Sequence, residues 1–136
     1  MEKPKEIQFE KSEKNDDKEQ VRQILRNGIL TGMSVKKLIQ IADLGLYGNI
    51  NYMAGTCGSS HYFNRMEYVK ADNEEECDII NYSFMMEKDD IAAFTTISIE
   101  QIEEISGSAN EDNPDNVLDI NIVMADGAEI TINVIY

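Results

Sequence analysis

The sequence predicts an α+β fold, with a helical hairpin at the N-terminal side packed on an antiparallel β-meander of about six strands. Two observations carry that prediction. Apolar residues recur at helical spacing between Asp17 and Gly45, and beyond Gly48 they alternate in short runs separated by turn residues. The surest element is the last hairpin, where Asp126-Gly127 separates Ile120, Ile122 and Met124 from Ile130, Ile132 and Val134.

Along the chain, residues 1–16 form a charged tail whose apolar residues beyond Met1 are Ile7 and Phe9, and the composition predicts flexibility or a late-docking strand. Residues 17–136 read as a single α+β domain. Its helical hairpin covers 17–45 and its sheet 49–136. Asp17 is the expected N-cap of the first helix, with Gln20 completing a capping box and Asn27-Gly28 as the stop. Val21, Ile24, Leu25 and Leu30 supply its apolar positions. Ser34 caps the second helix, whose stripe is Val35, Leu38, Ile39 and Ala42, and Gly45 closes it.

The strands are expected at Asn49–Thr56, Tyr62–Ala71, Cys77–Met86, Ile91–Ile99, Val117–Met124 and Ala128–Tyr136. Gly55 to Ser59 reads as a glycine-rich turn. The spacing of Phe63, Met66 and Val69 requires an irregularity in the second strand. Ser98 to Ile105 reads as a strand running into one helical turn that tucks Ile102 and Ile105 inward.

Charge is the most distinctive property. The 136 residues hold 12 Lys+Arg against 26 Asp+Glu, a net charge of −14. Residues 1–45 carry nine basic and eight acidic residues, whereas residues 46–136 carry three basic and eighteen acidic ones. Solubility of a small domain needs a net charge of only about 2 to 8. The field of such a chain repels nucleic acid and anionic membranes and attracts basic surfaces. Neither a long apolar span nor a secretory signal is present in the sequence, which leads to the expectation of a soluble, cytoplasmic protein.

In an up-and-down meander, alternate connections fall at the same end of the sheet. That rule gathers Asp72, Glu74, Glu75, Glu76, Asp78, Glu100, Glu103, Glu104, Glu111, Asp112 and Asp115 at one pole, taking Glu100 to Asn116 as one long connection. Unit charges at about 6 to 8 Å repel by less than ~1 kcal/mol in water, so the pole is tolerable but destabilising. Carboxylates so spaced are similar to the phosphates of a DNA strand, which repeat every ~3.4 Å along the axis. In size, charge and helix-plus-sheet build the chain resembles phage-borne and mobile-element inhibitors of restriction enzymes and CRISPR nucleases. The resemblance is one of composition and covers no motif. It implies a non-enzymatic acidic protein that binds the basic surface of a nucleic-acid-binding protein, with those eleven carboxylates in contact.

Two other functions fit the sequence. One is a structural or assembly protein, a homodimer formed through the C-terminal strand, with its acids as solvent cover. The other is a helix-turn-helix-like DNA-binding module in residues 17–45, in which Lys36 and Lys37 open the second helix. Catalytic chemistry is poorly supported. Cys57 and His61 stand four residues apart, but His61 is the sole histidine and the acidic surroundings oppose a thiolate. The glycine-rich string around Cys57 lacks the lysine of a phosphate-binding loop. Cys57 and Cys77 form no Cys-x-x-Cys pair, and the acidic runs lack calcium-loop spacing, so no metal, cofactor or catalytic residue is assigned.

Overall fold

A computed structural model of the chain describes residues 19–27, 31–87 and 90–136. Residues 19–27 form helix α1, and Val35–Ala42 form α2. Eight strands follow: β1 (Tyr47–Ala54), β2 (Cys57–Phe63), β3 (Arg65–Val69), β4 (Ile79–Glu87), β5 (Asp90–Ser98), β6 (Ile102–Ala109), β7 (Val117–Met124) and β8 (Glu129–Ile135). The fold is α+β, as the sequence predicts. The strands divide into a five-stranded sheet ordered β2-β1-β8-β7-β6 and a three-stranded sheet ordered β3-β4-β5, with antiparallel pairing throughout.

The helices follow from local chemistry. The Ser34 side chain accepts a hydrogen bond from the Lys37 backbone N–H at 3.2 Å, the expected N-cap. The apolar face of α2 is Leu38, Ile41 and Ala42, all buried, which rotates it away from the predicted Val35. Gly45 turns the chain with a φ of 68°. In α1, Leu25 is fully buried and Val21 packs partly against the core, while Ile24 is exposed. Thr31 is helical and Gly32, at a φ of 87°, leads the chain out. The tail 1–16, the Asp17 cap, Gly28 and Leu30 lie outside the described residues.

Two strand assignments differ from the sequence expectation. The β1–β2 turn is only Gly55-Thr56, because Ala54 pairs with Cys57, so β2 begins five residues earlier than predicted. The expected strand Tyr62–Ala71 is broken at Asn64, and its halves belong to different sheets. This break is the irregularity that Phe63 and Met66 demanded. Both are buried, whereas Val69 is 37% exposed. The Asn64 side chain takes the place of a strand neighbour. Its Oδ1 accepts from the Met85 N–H at 2.9 Å and its Nδ2 donates to the Met85 carbonyl at 2.8 Å. Its own backbone N–H donates to the Ser83 carbonyl at 3.0 Å. The β4 ladder thus continues across the corner without unpaired groups.

A third difference lies after β5. The helical turn, a 3₁₀ turn at Ile99–Gln101, precedes rather than ends the segment, and Ile102 to Ala109 form β6 against β7. The predicted long connection is therefore mostly strand.

Both sheets and both helices contribute to one core. Ile50, Ile120, Ile122, Ile130, Ile132 and Val134 come from the large sheet, Met66, Ile80, Tyr82 and Ile97 from the small one. Phe63 meets Tyr82 edge-on at 5.2 Å and 74°, joining the sheets beside the corner. Gly48 is required where β1 crosses this point, since a Cβ there would stand 1.8 Å from the Asn133 carbonyl oxygen.

Asn64→Ala removes two side-chain hydrogen bonds and leaves the Met85 backbone groups unpaired on that side. We expect it to lower stability by about 1–3 kcal/mol, read as a lower urea midpoint at unchanged slope. An unchanged midpoint would show that the corner is held by packing alone.

Candidate functional site

The connection between β3 and β4 is built around two side chains. The Asn73 Oδ1 accepts from the Glu75 N–H at 2.9 Å and the Glu76 N–H at 3.1 Å, which folds the acidic run into a compact turn. Asp78 closes the connection. Its Oδ1 accepts from the Ala71 N–H at 2.8 Å, and its Oδ2 accepts from the Tyr68 hydroxyl at 2.8 Å. These bonds leave the carboxylates of Asp72, Glu74, Glu75 and Glu76 on exposed residues at the rim.

Glu100 joins this group through the 3₁₀ turn. The Ile99 N–H donates to the Asp78 carbonyl at 3.0 Å, and the Cys77 thiol donates to Glu100 Oε2 at 3.1 Å. The following residues, Glu103 and Glu104, are exposed at the start of β6, where the register slips by one between Ile102 and Glu104. The structure thus brings Asp72, Glu74, Glu75, Glu76, Asp78 and Glu100 to one end of the molecule, with Glu103 and Glu104 adjoining.

It does not bring Glu111, Asp112 and Asp115 there. They sit in the β6–β7 loop, beyond the far end of β6. Eight residues of strand separate the groups, roughly 23 Å from first to last Cα. The meander rule placed them together only because β6 was read as part of a connection. Conversely, Asp126 belongs with the first group. The Ala125 N–H donates to the Gln101 carbonyl at 2.7 Å, which brings the β7–β8 turn against the 3₁₀ turn. The sequence rule left Asp126 out of that pole. Asp43, just past α2, is also near enough to act on Tyr68.

The electrostatics of this end are self-consistent. The Ala71 N–H bond, then the Tyr68 hydroxyl bond and the nearby Lys70, hold the Asp78 carboxyl below the usual carboxylate range. The same bond to Asp78, with burial and the charges of Asp78 and Asp43, raises the Tyr68 phenol. The Cys77 thiol is raised first by its bond to Glu100, then by burial and the Glu100 charge. A raised thiol is a weak nucleophile. Arg65–Glu67, at 3.4 Å, is the one ion pair among the described residues, so no described cation pairs directly with the carboxylates of this end.

The remaining candidates are placed as follows. Cys57 and His61 lie on one strand four residues apart, roughly 13 Å by strand geometry, beyond hydrogen-bond reach. The His61 ring is engaged elsewhere. Its Nδ1 lies 2.7 Å from the Tyr62 carbonyl, to which it donates, and its Nε2 2.7 Å from Thr95 Oγ1. Of the two lysines on α2, Lys37 donates to Thr31 Oγ1 and to the Gly32 carbonyl, while Lys36 is exposed. The C-terminal strand is interior, since β8 pairs with β1 on one side and β7 on the other, so a dimer cannot form by adding a strand to it. Among the described residues no three His, Cys, Asp or Glu side chains converge to hold a metal ion. No helix among them is long and apolar enough to cross a membrane.

Comparison with protein-family models, with curated proteins and with solved structures gave no match.

Because the folded Asp78 is depressed, its contribution to stability is complete above the ordinary aspartate range and is lost as pH falls through the lowered value. We expect the Tyr68 phenol, followed by the pH dependence of its own ring NMR signals, to titrate above an ordinary tyrosine, and Asp78→Asn to return it toward the ordinary range. A Tyr68 titration indifferent to that substitution would contradict the bond.

Proposed function

We propose that this protein acts by binding rather than by catalysis, presenting the carboxylates at the β3–β4 end to a basic surface of a nucleic-acid-binding protein. The observation that supports this reading is the grouping of Asp72, Glu74, Glu75, Glu76 and Glu100 around Asp78 with no paired cation among the described residues. Two features of the group suit the role. The Asn73 turn and the Asp78 bonds fix the backbone from which the acids project, so little conformational entropy is lost when a partner docks. The acids also come from chain segments more than twenty residues apart, which makes a surface rather than a flexible acidic string.

A basic groove that holds DNA offers Lys and Arg at phosphate spacing, and carboxylates on a firm surface compete for the same side chains. In this reading the protein is an inhibitor of such a groove, and a nuclease that defends a cell against foreign DNA is the kind of target its acidic end would occupy. The attraction is screened by salt, with a Debye length of ~10 Å at 0.1 M, so affinity falls as ionic strength rises.

Charge-removing triples test the reading with a decalysine peptide and with competition against a 20-base-pair duplex. Glu74→Gln/Glu75→Gln/Glu76→Gln should weaken decalysine binding at low salt by about tenfold, taking each exposed pair at ~0.2–1 kcal/mol. Glu111→Gln/Asp112→Asn/Asp115→Asn, which removes equal charge at the other end, should change it by less than about twofold. Equal losses from the two triples would mean that net charge alone attracts the peptide.

A further inference from the structure

We propose that β5 is a docking edge for an extended peptide segment of a partner, one with apolar side chains at alternate positions and basic residues at both ends. The inference concerns a strand edge that ends beside Glu100, not the loop carboxylates themselves, and goes beyond the acidic-end reading.

β5 pairs with β4 alone, so among the described residues its outer side is a sheet edge. In an antiparallel strand, alternate residues direct their N–H and C=O groups away from the paired neighbour. Natural edges are usually guarded by charges, proline or bulges against such pairing. Here β3 carries the Arg65–Glu67 pair, and β6 opens with Glu103, Glu104 and a register slip. β2 runs against β4 and β5, with His61 bonded to Thr95. β5 has no such protection from Ala93 to Ser98. That stretch contains no charged residue, no proline and no glycine and pairs with β4 in unbroken register, the irregularities lying toward the hairpin at Ala92 and Met86.

The face beside this edge is shaped for side chains. A cavity of ≈ 360 Å³ lies on the outer side of the small sheet, with Ile79, Ile91 and Phe94 as apolar walls on the β4 and β5 side and the Arg65–Glu67 pair on the β3 side. Ile91 is 55% and Phe94 68% exposed, a large apolar surface left uncovered by the described residues. A strand added to β5 would set alternate side chains about 5 Å from Phe94 and Thr96, within reach of the cavity.

Charge decides between a foreign strand and a second copy. One end of β5 carries Glu87 and Asp90, partners across the β4–β5 hairpin. The other leads directly to Glu100, with Asp78 bonded to Ile99. Antiparallel pairing of two copies would set the Glu87–Asp90 end of each against the Asp78–Glu100 end of the other, at both ends of the interface, between chains of net charge −14. A strand whose flanks are Lys or Arg meets the same ends with attraction, while its uncharged centre matches Ile91 to Ser98. The recognition mode is strand addition, in which main-chain bonds supply affinity and alternate side chains supply specificity.

Two labelled peptides test this with the full chain: Lys-Lys-Val-Thr-Val-Thr-Val-Lys-Lys, and a control with each Val replaced by Pro, equal in charge but without those N–H donors. The valine peptide should bind at least about tenfold more tightly in fluorescence anisotropy and slow hydrogen exchange in residues 91–98. Phe94→Ala, at an exposed position where the fold should survive, should bring the two peptides within about threefold of each other, and Thr96→Lys should do the same by repelling the basic strand. An unshifted thermal midpoint in both variants shows that the loss is not one of folding. Equal binding of the two peptides by the unaltered protein would overturn the β5 site and leave the acidic-end reading standing, since that reading rests on charge alone. Protection appearing at β3 or β6 instead of β5 would overturn it as well.

Discussion

The structure depends on the corner at Asn64. A single run of chain leaves the five-stranded sheet at Phe63 and enters the three-stranded sheet at Arg65, and the Asn64 amide bonds both backbone groups of Met85 across the break. Without that substitution of a side chain for a strand neighbour, the turn would leave two Met85 backbone groups without a protein partner on that side, each exposed bond being worth roughly 0.5–1.5 kcal/mol. With it, the two sheets face each other closely enough for Phe63 to meet Tyr82 and for one core to form between them. The position of the β3–β4 connection, and so of the acidic end, follows from the same corner.

That connection shows how a repulsive group of carboxylates is held. Asp78 is the anchor rather than a member of the exposed rim. It accepts two hydrogen bonds, and these make its ionised form the favoured one. Asn73 then turns the chain so that Glu75 and Glu76 project from fixed backbone. The cost of placing like charges near one another is small in water, and it is offset by local bonds that do not depend on a partner. Glu100 enters because the 3₁₀ turn is tied to Asp78 on one side and to the β7–β8 turn on the other.

Much of this was legible in the sequence, for identifiable reasons. Ser34 capped its helix because a serine hydroxyl three residues before an amide satisfies an orphan donor. Asp126-Gly127 made its hairpin because only a residue such as Gly127 adopts a φ of 91° without strain. The spacing of Phe63 and Met66 exposed the irregularity but not its nature, since a corner and a bulge give the same apolar register. β6 was missed because Ile102 and Ile105 stand three apart. A register slip inside the strand produces that spacing as readily as a helical turn does. The miss had a spatial consequence: it placed Glu111, Asp112 and Asp115 with the β3–β4 acids, whereas they lie beyond the far end of β6, and it left Asp126 out of the group. The free edge of β5 had no sequence signal of its own, because an unpaired strand and a paired one share the same alternation.

The claim on which the functional account turns is that a basic partner touches one end of the molecule and not the other. Carbodiimide-driven amidation of surface carboxylates, mapped by mass spectrometry with and without decalysine, tests it directly. The account predicts protection of Glu74, Glu75, Glu76 and Glu100 with Glu111, Asp112 and Asp115 labelled as in the free protein. Uniform protection of both groups, or protection confined to the β6–β7 loop, would contradict it.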